Sequence, residues 1–396
     1  MSLDPIPNQQ GRHPADSRSQ QDCFGDYRLG GDNDTRFGQD IPKKASNTLR
    51  IGFQNIGGFS TCSNTLKDEN IRNGVSTWEF DIMGFAETNV DWRLVSEEDK
   101  LVHRSKEWWE TLHISYSSNT TNTPIKSKQY GGVALFSINK AAHRVVGKGS
   151  DPSNLGRWTW SRYRGRNNHT LRIICGYRPN PPSGGPFTVY AQHQLYFNST
   201  NDHRCPRAAF ITDLCEEIRN FKSEGDHIIL LLDGNADMRK GELASSLLEC
   251  ELREVILDKY GLNAPSTYRR NNTRTPIDGI WASPNINIEG GGYFLFDEVF
   301  QDTDHKCLWI DVTYVTAFGH NMPAIVRPSA RRLHCRDPRI VNNYLKQYEK
   351  FVTKHQLLDR VRDLEAKSTF PLTPSMQTEY EALADLRCQR GQARRA

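Results

Sequence analysis

The chain has 396 residues, enough for one large domain or two ordinary ones with a sizeable core. Its formal charge is nearly balanced at +4, yet residues 327–396 carry 15 Lys and Arg against 8 Asp and Glu, a basic excess as consistent with a solvated helix as with attraction to phosphate. No run approaches the roughly 18 apolar residues of a membrane span, residues 1–30 lack the apolar centre of a secretory leader, and the nine cysteines form no Cys-x-x-Cys pair, so zinc-ribbon and thioredoxin-like chemistry are excluded and a reduced, intracellular protein is expected.

Residues 1–47 are rich in Gln, Asp, Asn, Gly, Pro and Arg and poor in aliphatic side chains, which predicts a disordered N-terminal tail. Order is expected to begin where Leu49, Ile51 and Phe53 alternate with Arg50 and Gly52, a first strand that stops at Asn55-Ile-Gly-Gly58. A short helix over 69–79 and a buried strand over 80–85 follow, the strand ending on Glu87. Residues 103–112 are expected to be helical and 115–128 to form a mobile loop. Strands are predicted over 131–137, 157–164 and 171–176, the last leading into Tyr177-Arg178-Pro179. The spacing of Ile211, Leu214, Cys215, Ile218 and Phe221 predicts an amphipathic helix over 207–222. Next, Ile228 to Leu232 are apolar in succession, the mark of a strand buried on both faces, and the run stops at Asp233-Gly234-Asn235, where Gly234 is expected to make the turn. A helix over 242–255 comes next, then a strand over 275–282 that holds Asp278 against its propensity, then Asp304-His305 and a strand over 307–313. Helices interleaved with strand pairs predict a mixed α/β domain over 48–315. Residues 316–396 are expected to be a basic helical extension, with apolar side chains at helical spacing over 340–364 and a second helical stretch over 380–395.

Asn55, Glu87, Tyr177, Asp233, Asn235, Asp278, Asp304 and His305 all fall at or near the ends of expected strands. Singly, each has an ordinary explanation: Asp-Gly-Asn is good turn chemistry, Tyr177 is an aromatic before a proline, Glu87 a surface carboxylate. Together, the acids, carboxamides, tyrosine and histidine make a hard-oxygen set that suits Mg²⁺ or Mn²⁺ and suits zinc poorly. A magnesium ion with an acid/base pair is the equipment for hydrolysing a phosphodiester.

In this order, these residues resemble the motifs of the endonuclease/exonuclease/phosphatase superfamily over about residues 48–314. The resemblance implies a four-layer α/β sandwich, two mostly antiparallel sheets flanked by helices, here with a helical C-terminal extension. Phe85-Ala-Glu-Thr88, Gly176-Tyr-Arg-Pro179 and Thr303-Asp-His305 are similar to the endonuclease domains of LINE-type, non-LTR retrotransposons. The Trp-x-Asp-Arg pattern of the superfamily's phosphoinositide phosphatases is missing around Asp278, where the chain reads Arg274-Thr-Pro-Ile-Asp278-Gly-Ile280. What is implied is a magnesium-dependent endonuclease that nicks target DNA in the nucleus. The C-terminal helices resemble the linker that precedes a reverse transcriptase, so retroelement RNA or a reverse transcriptase is an implied partner, and a retroelement fragment or relic the implied origin. The alternative is a phosphatase or phosphodiesterase of the same superfamily acting on inositol phosphates or lipids.

The resemblance also assigns roles. Glu87 holds the metal, with Asn55 and Asp304 beside it. Asp233 orients or deprotonates the attacking water, and Asn235 fixes the phosphate or that aspartate. His305, held by Asp278, binds the scissile phosphate, and Tyr177 donates a hydrogen bond to it. Whether Asp233 or His305 is the formal base stays open. Some relatives carry an acid two residues after the first-motif asparagine; Gly57 stands there in this chain, which leaves no extra ligand. The surface loops 115–128 and 269–274 are expected to choose the target site.

Overall fold

The alternation that marks Leu49, Ile51 and Phe53 recurs along most of the strands, and it sorts their side chains between one inner core and two outer ones. A computed structural model describes residues 34–124, 126–183, 185–270, 273–320, 338–367 and 372–392. The strands are β1 (Phe37–Gly38), β2 (Thr48–Asn55), β3 (Ile82–Ala86), β4 (Leu112–Ser117), β5 (Val133–Ile138), β6 (Val145–Ser150), β7 (Trp158–Arg164) and β8 (Thr170–Tyr177). They continue with β9 (Asp226–Asp233), β10 (Arg253–Glu254), β11 (Tyr268–Arg270), β12 (Thr273–Thr275), β13 (Asp278–Ala282), β14 (Ile288–Tyr293) and β15 (Leu308–Thr313). One sheet has the order β1-β14-β15-β2-β3-β5-β4, the other β10-β13-β9-β8-β7-β6, and β11-β12 is a separate hairpin. Among the described residues only β2 with β3 and β8 with β9 pair in parallel; each of those pairs is bridged by a helix-containing crossover.

The helices are α1 (Leu66–Thr77), α2 (Leu101–Arg104), α3 (Val189–Ser199), α4 (Pro206–Ser223), α5 (Glu242–Glu249), α6 (Val255–Tyr260) and α7 (Tyr314–Phe318), followed by α8 (Pro338–Lys354), α9 (Leu357–Lys367) and α10 (Pro374–Gln392). Ile51, Phe53, Leu135, Ile173, Cys175, Ile229, Leu231, Ile280 and Ile310 meet between the sheets. Ile71 and Val75 of α1 cover Met83, Phe85 and Trp309 on the outside of the first sheet. Leu214 and Ile218 of α4 and Leu247 of α5 cover Ile174, Leu230 and Leu232 on the outside of the second. This is the expected four-layer α/β sandwich with C-terminal helices. Among the described residues no helix is long and apolar enough to cross a membrane.

Several expectations needed correction. The tail expected to be disordered through residue 47 takes up structure from Asp34 on: β1 adds to β14, the Phe37 ring lies 5.2 Å from that of Tyr293, and the Pro42 carbonyl accepts from Arg50 Nη2 at 3.0 Å. A two-residue strand acquires its stability from the sheet edge it joins, which its own composition does not announce. Residues 1–33 lie outside the described residues.

The helix expected over 103–112 is a single turn, α2, and the loop expected over 115–128 begins as β4, whose partner β5 supplies the ladder. The helix expected over 242–255 breaks after Glu249: Glu251 adopts φ 54°, β10 joins the edge of the second sheet, and Glu254 caps α6 by accepting the Leu257 N–H. Residues 269–274, expected as a loop, carry the β11-β12 hairpin, with 271–272 outside the described residues. The folded domain continues past residue 315, because Tyr314, Ala317 and Phe318 of α7 are buried in the inner core. The helical stretch over 340–364 is divided at Gln356, with φ 50°, into α8 and α9. The second stretch falls within α10; residues 393–396 lie outside the described residues.

Candidate active site

Strand parity aims the polar residues. In β2, β8, β9 and β13 the side chains at 51 and 53, 173 and 175, 229 and 231, and 280 and 282 fill the inner core. Two residues further along the same faces come Asn55, Tyr177, Asp233 and Asp278, which therefore project between the sheets at one rim. Register brings them level: in the ladder Tyr177 stands opposite Asp233, and Asp233 opposite Asp278. His305 enters from the other sheet, just before β15.

The contacts are specific. Asn55 Nδ2 donates to Asp233 Oδ2 at 2.8 Å, and Asn55 Oδ1 accepts the Gly57 N–H at 3.0 Å. Tyr177 Oη donates to Glu87 Oε1 at 2.5 Å. His305 Nδ1 lies 2.9 and 3.1 Å from the two oxygens of Asp278, leaving Nε2 at 4.0 Å from Asp233 Oδ2 and 3.8 Å from Asp304 Oδ1. Asn235 donates its backbone N–H to Asp233 Oδ1 at 3.0 Å and its Nδ2 to the Arg178 carbonyl at 2.8 Å. All eight residues expected from the sequence thus share one site. Asp278 and Asp233 are buried, whereas Glu87 and Asp304 reach solvent.

The turn after β9 works differently from expectation. Asn235, not Gly234, takes the left-handed conformation, with φ 45°. Gly234 is needed for space, since a Cβ there would run into Met238 and Leu243. Glu87 is also left-handed, at φ 51°, an uncommon state for a glutamate and one that concentrates at functional sites.

Charge in the site is unbalanced. Burial, then the nearby Asp278 and Glu87 charges, push the Asp233 carboxyl up to about 8. Burial alone would lower the His305 imidazole, but Asp278 above all, with Asp233 and Glu87, outweighs it and holds the proton on up to about 10. Burial and the carboxylates of Glu87 and Asp233 hold the Tyr177 hydroxyl protonated well above its ordinary range, so it is a donor.

Sequence reasoning missed the residues that brace the site. Thr267 Oγ1 accepts the N–H groups of Ile277 and Asp278 at 3.0 and 3.1 Å, and Gln54 Nε2 donates to the His305 carbonyl at 2.8 Å. Thr303 Oγ1 donates to the Asn55 carbonyl at 2.6 Å, and the Tyr268 ring lies 4.9 Å from the His305 ring. Thr303 had a signal, its place before Asp304-His305; Thr267 and Tyr268 had none, being ordinary residues of a polar segment.

Among the described residues, one group of three His, Asp or Glu side chains brings its ligand atoms within 4.8 Å of one another: Asp233, Asp278 and His305. Glu87 offers a second place for an ion: Tyr177 takes one carboxylate oxygen, and no described residue makes a hydrogen bond to the other.

No family model matches the sequence, and no curated protein matches it. Solved structures do. The AP endonuclease LMAP from Leishmania major superposes with a TM-score of 0.50 at 12% identity, covering 68% of this chain and 88% of that one. The chain has the endonuclease/exonuclease/phosphatase fold. Two further members of that fold overlap less: the 3′-5′ exonuclease NExo from Neisseria meningitidis, with a TM-score of 0.47, 16% identity and coverage of 67% and 100%, and the endonuclease domain of TRAS1, a telomere-specific non-LTR retrotransposon, with 0.42, 12% and coverage of 67% and 98%.

Proposed function

We propose that the protein is a divalent-metal-dependent phosphodiesterase that nicks DNA. The observation that carries the reading is the buried Asp278–His305 pair set 4.0 Å from Asp233 Oδ2, the same oxygen that accepts from Asn55 Nδ2. A carboxylate whose proton affinity lies near neutral pH suits a general base, and Asp233, held by two donors, can take a proton from a water lined up on phosphorus. His305 faces that place with Nε2 and, as imidazolium, neutralises a phosphate oxygen, while Asp278 fixes its ring through Nδ1. Tyr177 donates either to Glu87 or to the phosphate. Attack of water expels the 3′ oxygen and leaves a 5′ phosphate.

The donors at the rim fit Mg²⁺ or Mn²⁺. Glu87 presents a carboxylate oxygen without a protein hydrogen bond, Asp304 a carboxylate reached by solvent, and Asn55 a carbonyl oxygen, all hard ligands. Such an ion, when bound, supplies charge neutralisation at the phosphate and at the leaving oxygen. Asp233, Asp278 and His305 suit it less, because His305 Nδ1 is already engaged by Asp278.

The similarity to retrotransposon endonucleases extends the proposal to nicking of target DNA in the nucleus, alongside retroelement RNA or a reverse transcriptase. Hydrolysis of inositol phosphates is the competing activity. Purified protein is incubated with supercoiled plasmid, an abasic oligonucleotide and inositol phosphates, with Mg²⁺ and with EDTA. Plasmid nicking that EDTA abolishes is expected; turnover of inositol phosphates with intact plasmid would overturn the proposal.

A further inference from the structure

Four arginines among the described residues are buried: Arg50, Arg157, Arg172 and Arg178. Three have carboxylates in contact. Arg50 bonds both oxygens of Asp311 at 2.8 Å, Arg157 reaches Asp151 and Asp213 at 2.7 Å, and Arg172 reaches Asp226 and Glu224 at 2.7 Å. Arg178, only 5% exposed, has none. Its Nε donates to the Arg207 carbonyl at 3.2 Å, and no described residue makes a hydrogen bond to either Nη. A buried guanidinium with no carboxylate in contact is costly, Glu242 acting on it only from beyond salt-bridge distance, and its planar fork matches a phosphate as well as a carboxylate.

A second cation stands beside it. Arg207, in the first turn of the 18-residue helix α4, donates to the carbonyls of Pro179 and Asn235, the latter at 3.0 Å, and has no carboxylate within 4.0 Å among the described residues. Burial and the neighbouring Arg207 charge lower the Arg178 guanidinium to about 10, which records two like charges held together at the positive end of a helix. Both arginines are tied to the turn after β9: Arg178 through its carbonyl to Asn235 Nδ2, Arg207 through Asn235's carbonyl. Tyr177 and Asp233 face between the sheets, whereas the Arg178 guanidinium lies against α4 on the outer side, so it serves a different phosphate from the one His305 faces.

We infer that Arg178 and Arg207 form a second phosphate subsite, which grips the DNA strand at a phosphodiester next to the one cleaved. The inference rests on the DNA reading above and names a contact for it. It also gives Arg207 a positioning role, since a phosphate drawn to the pair bears on the same turn that holds Asp233.

The test compares wild type, Arg178→Gln, Arg178→Lys and a charge control, Lys140→Gln, whose exposed side chain follows β5 at the end away from the site. Duplex binding is measured in EDTA across a salt titration, and inorganic phosphate binding by calorimetry. Arg178→Gln is expected to weaken duplex binding about tenfold, lower the slope against salt by about one and weaken phosphate binding, with Arg178→Lys intermediate and Lys140→Gln leaving phosphate binding unchanged. Should Arg178→Gln fail to fold, Arg207→Gln, at a half-buried position, carries the same comparison. A folded Arg178→Gln or Arg207→Gln protein that binds duplex and phosphate as wild type does overturns the subsite while leaving the nuclease reading in place. Phosphate binding that depends on Arg178 in a protein that cleaves no DNA supports the subsite and overturns the nuclease.

Discussion

The same four strands carry buried polar groups at or beside both ends, and the two ends are built differently. At one end Arg50 of β2 bonds Asp311 of β15, and Arg172 of β8 bonds Asp226 of β9, each guanidinium matched by carboxylate oxygens. At the other end the carboxylates of Asp278, Asp233 and Glu87 outnumber the single imidazole of His305, and the proton affinities of Asp233 and His305 rise. Balanced pairs close a structure; an excess of carboxylates holds free energy that a bound cation can release.

Breaking the balanced end should produce the largest change in stability. Asp311→Ala strands the buried Arg50 and is expected to cost about 3–5 kcal/mol in chemical denaturation, while the folded fraction keeps its nicking rate. An unchanged midpoint would show that this pair is not what closes the sheet. At the unbalanced end the damage should appear in rate. Asp233→Ala and His305→Ala are each expected to lose at least about 10²-fold in plasmid nicking, roughly 2.7 kcal/mol of barrier. Asp233→Asn should lose the same activity yet be no less stable than wild type without metal, because it removes a carboxylate repelled by Asp278. Near wild-type nicking by any of the three would remove Asp233 or His305 from the chemistry. Tyr177→Phe deletes the donor to Glu87 and should cost about tenfold in rate, about 1.4 kcal/mol.

The smallest effect is a pH slope. In EDTA, His305 has its folded value raised from 6.5 to about 10, so the stability it contributes is full below about pH 6.5 and is lost as pH rises towards 10. Asp233, raised from 3.8 to about 8, also binds its proton more tightly when folded, and withdraws stability as pH rises between those values. Unfolding free energy measured by urea should therefore fall from pH 6.5 to 9, and Asp278→Asn should flatten the part due to His305. A rise in stability over that window would contradict the charge arrangement described for the rim.

Much of the site was legible because strand ends announce themselves. The five apolar residues before Asp233 and the alternation before Asn55 each locate a strand and therefore its exit, and the order of the motifs names their company. The braces were not legible. Thr267 matters only because Ile277 and Asp278 fold back over it, and Glu254 breaks an expected helix only because β13 offers an edge for β10 to join. Propensity is local, whereas a pairing partner distant in sequence overrides it.

By itself, then, the sequence determined a mixed α/β domain and the eight polar residues at or near its strand ends, which follow from hydrophobic period and turn chemistry within a few residues, whereas the four layers were implied by the resemblance of the motifs. Only the tertiary structure decided that Asn55 engages Asp233, that Asn235 and not Gly234 bears the left-handed turn, and that, among the described residues, Arg178 is the buried arginine with no carboxylate in contact. Those outcomes depend on register between strands and on which charges burial leaves unanswered, and both arise only when segments separated in the sequence, by 178 residues for Asn55 and Asp233, are brought into contact.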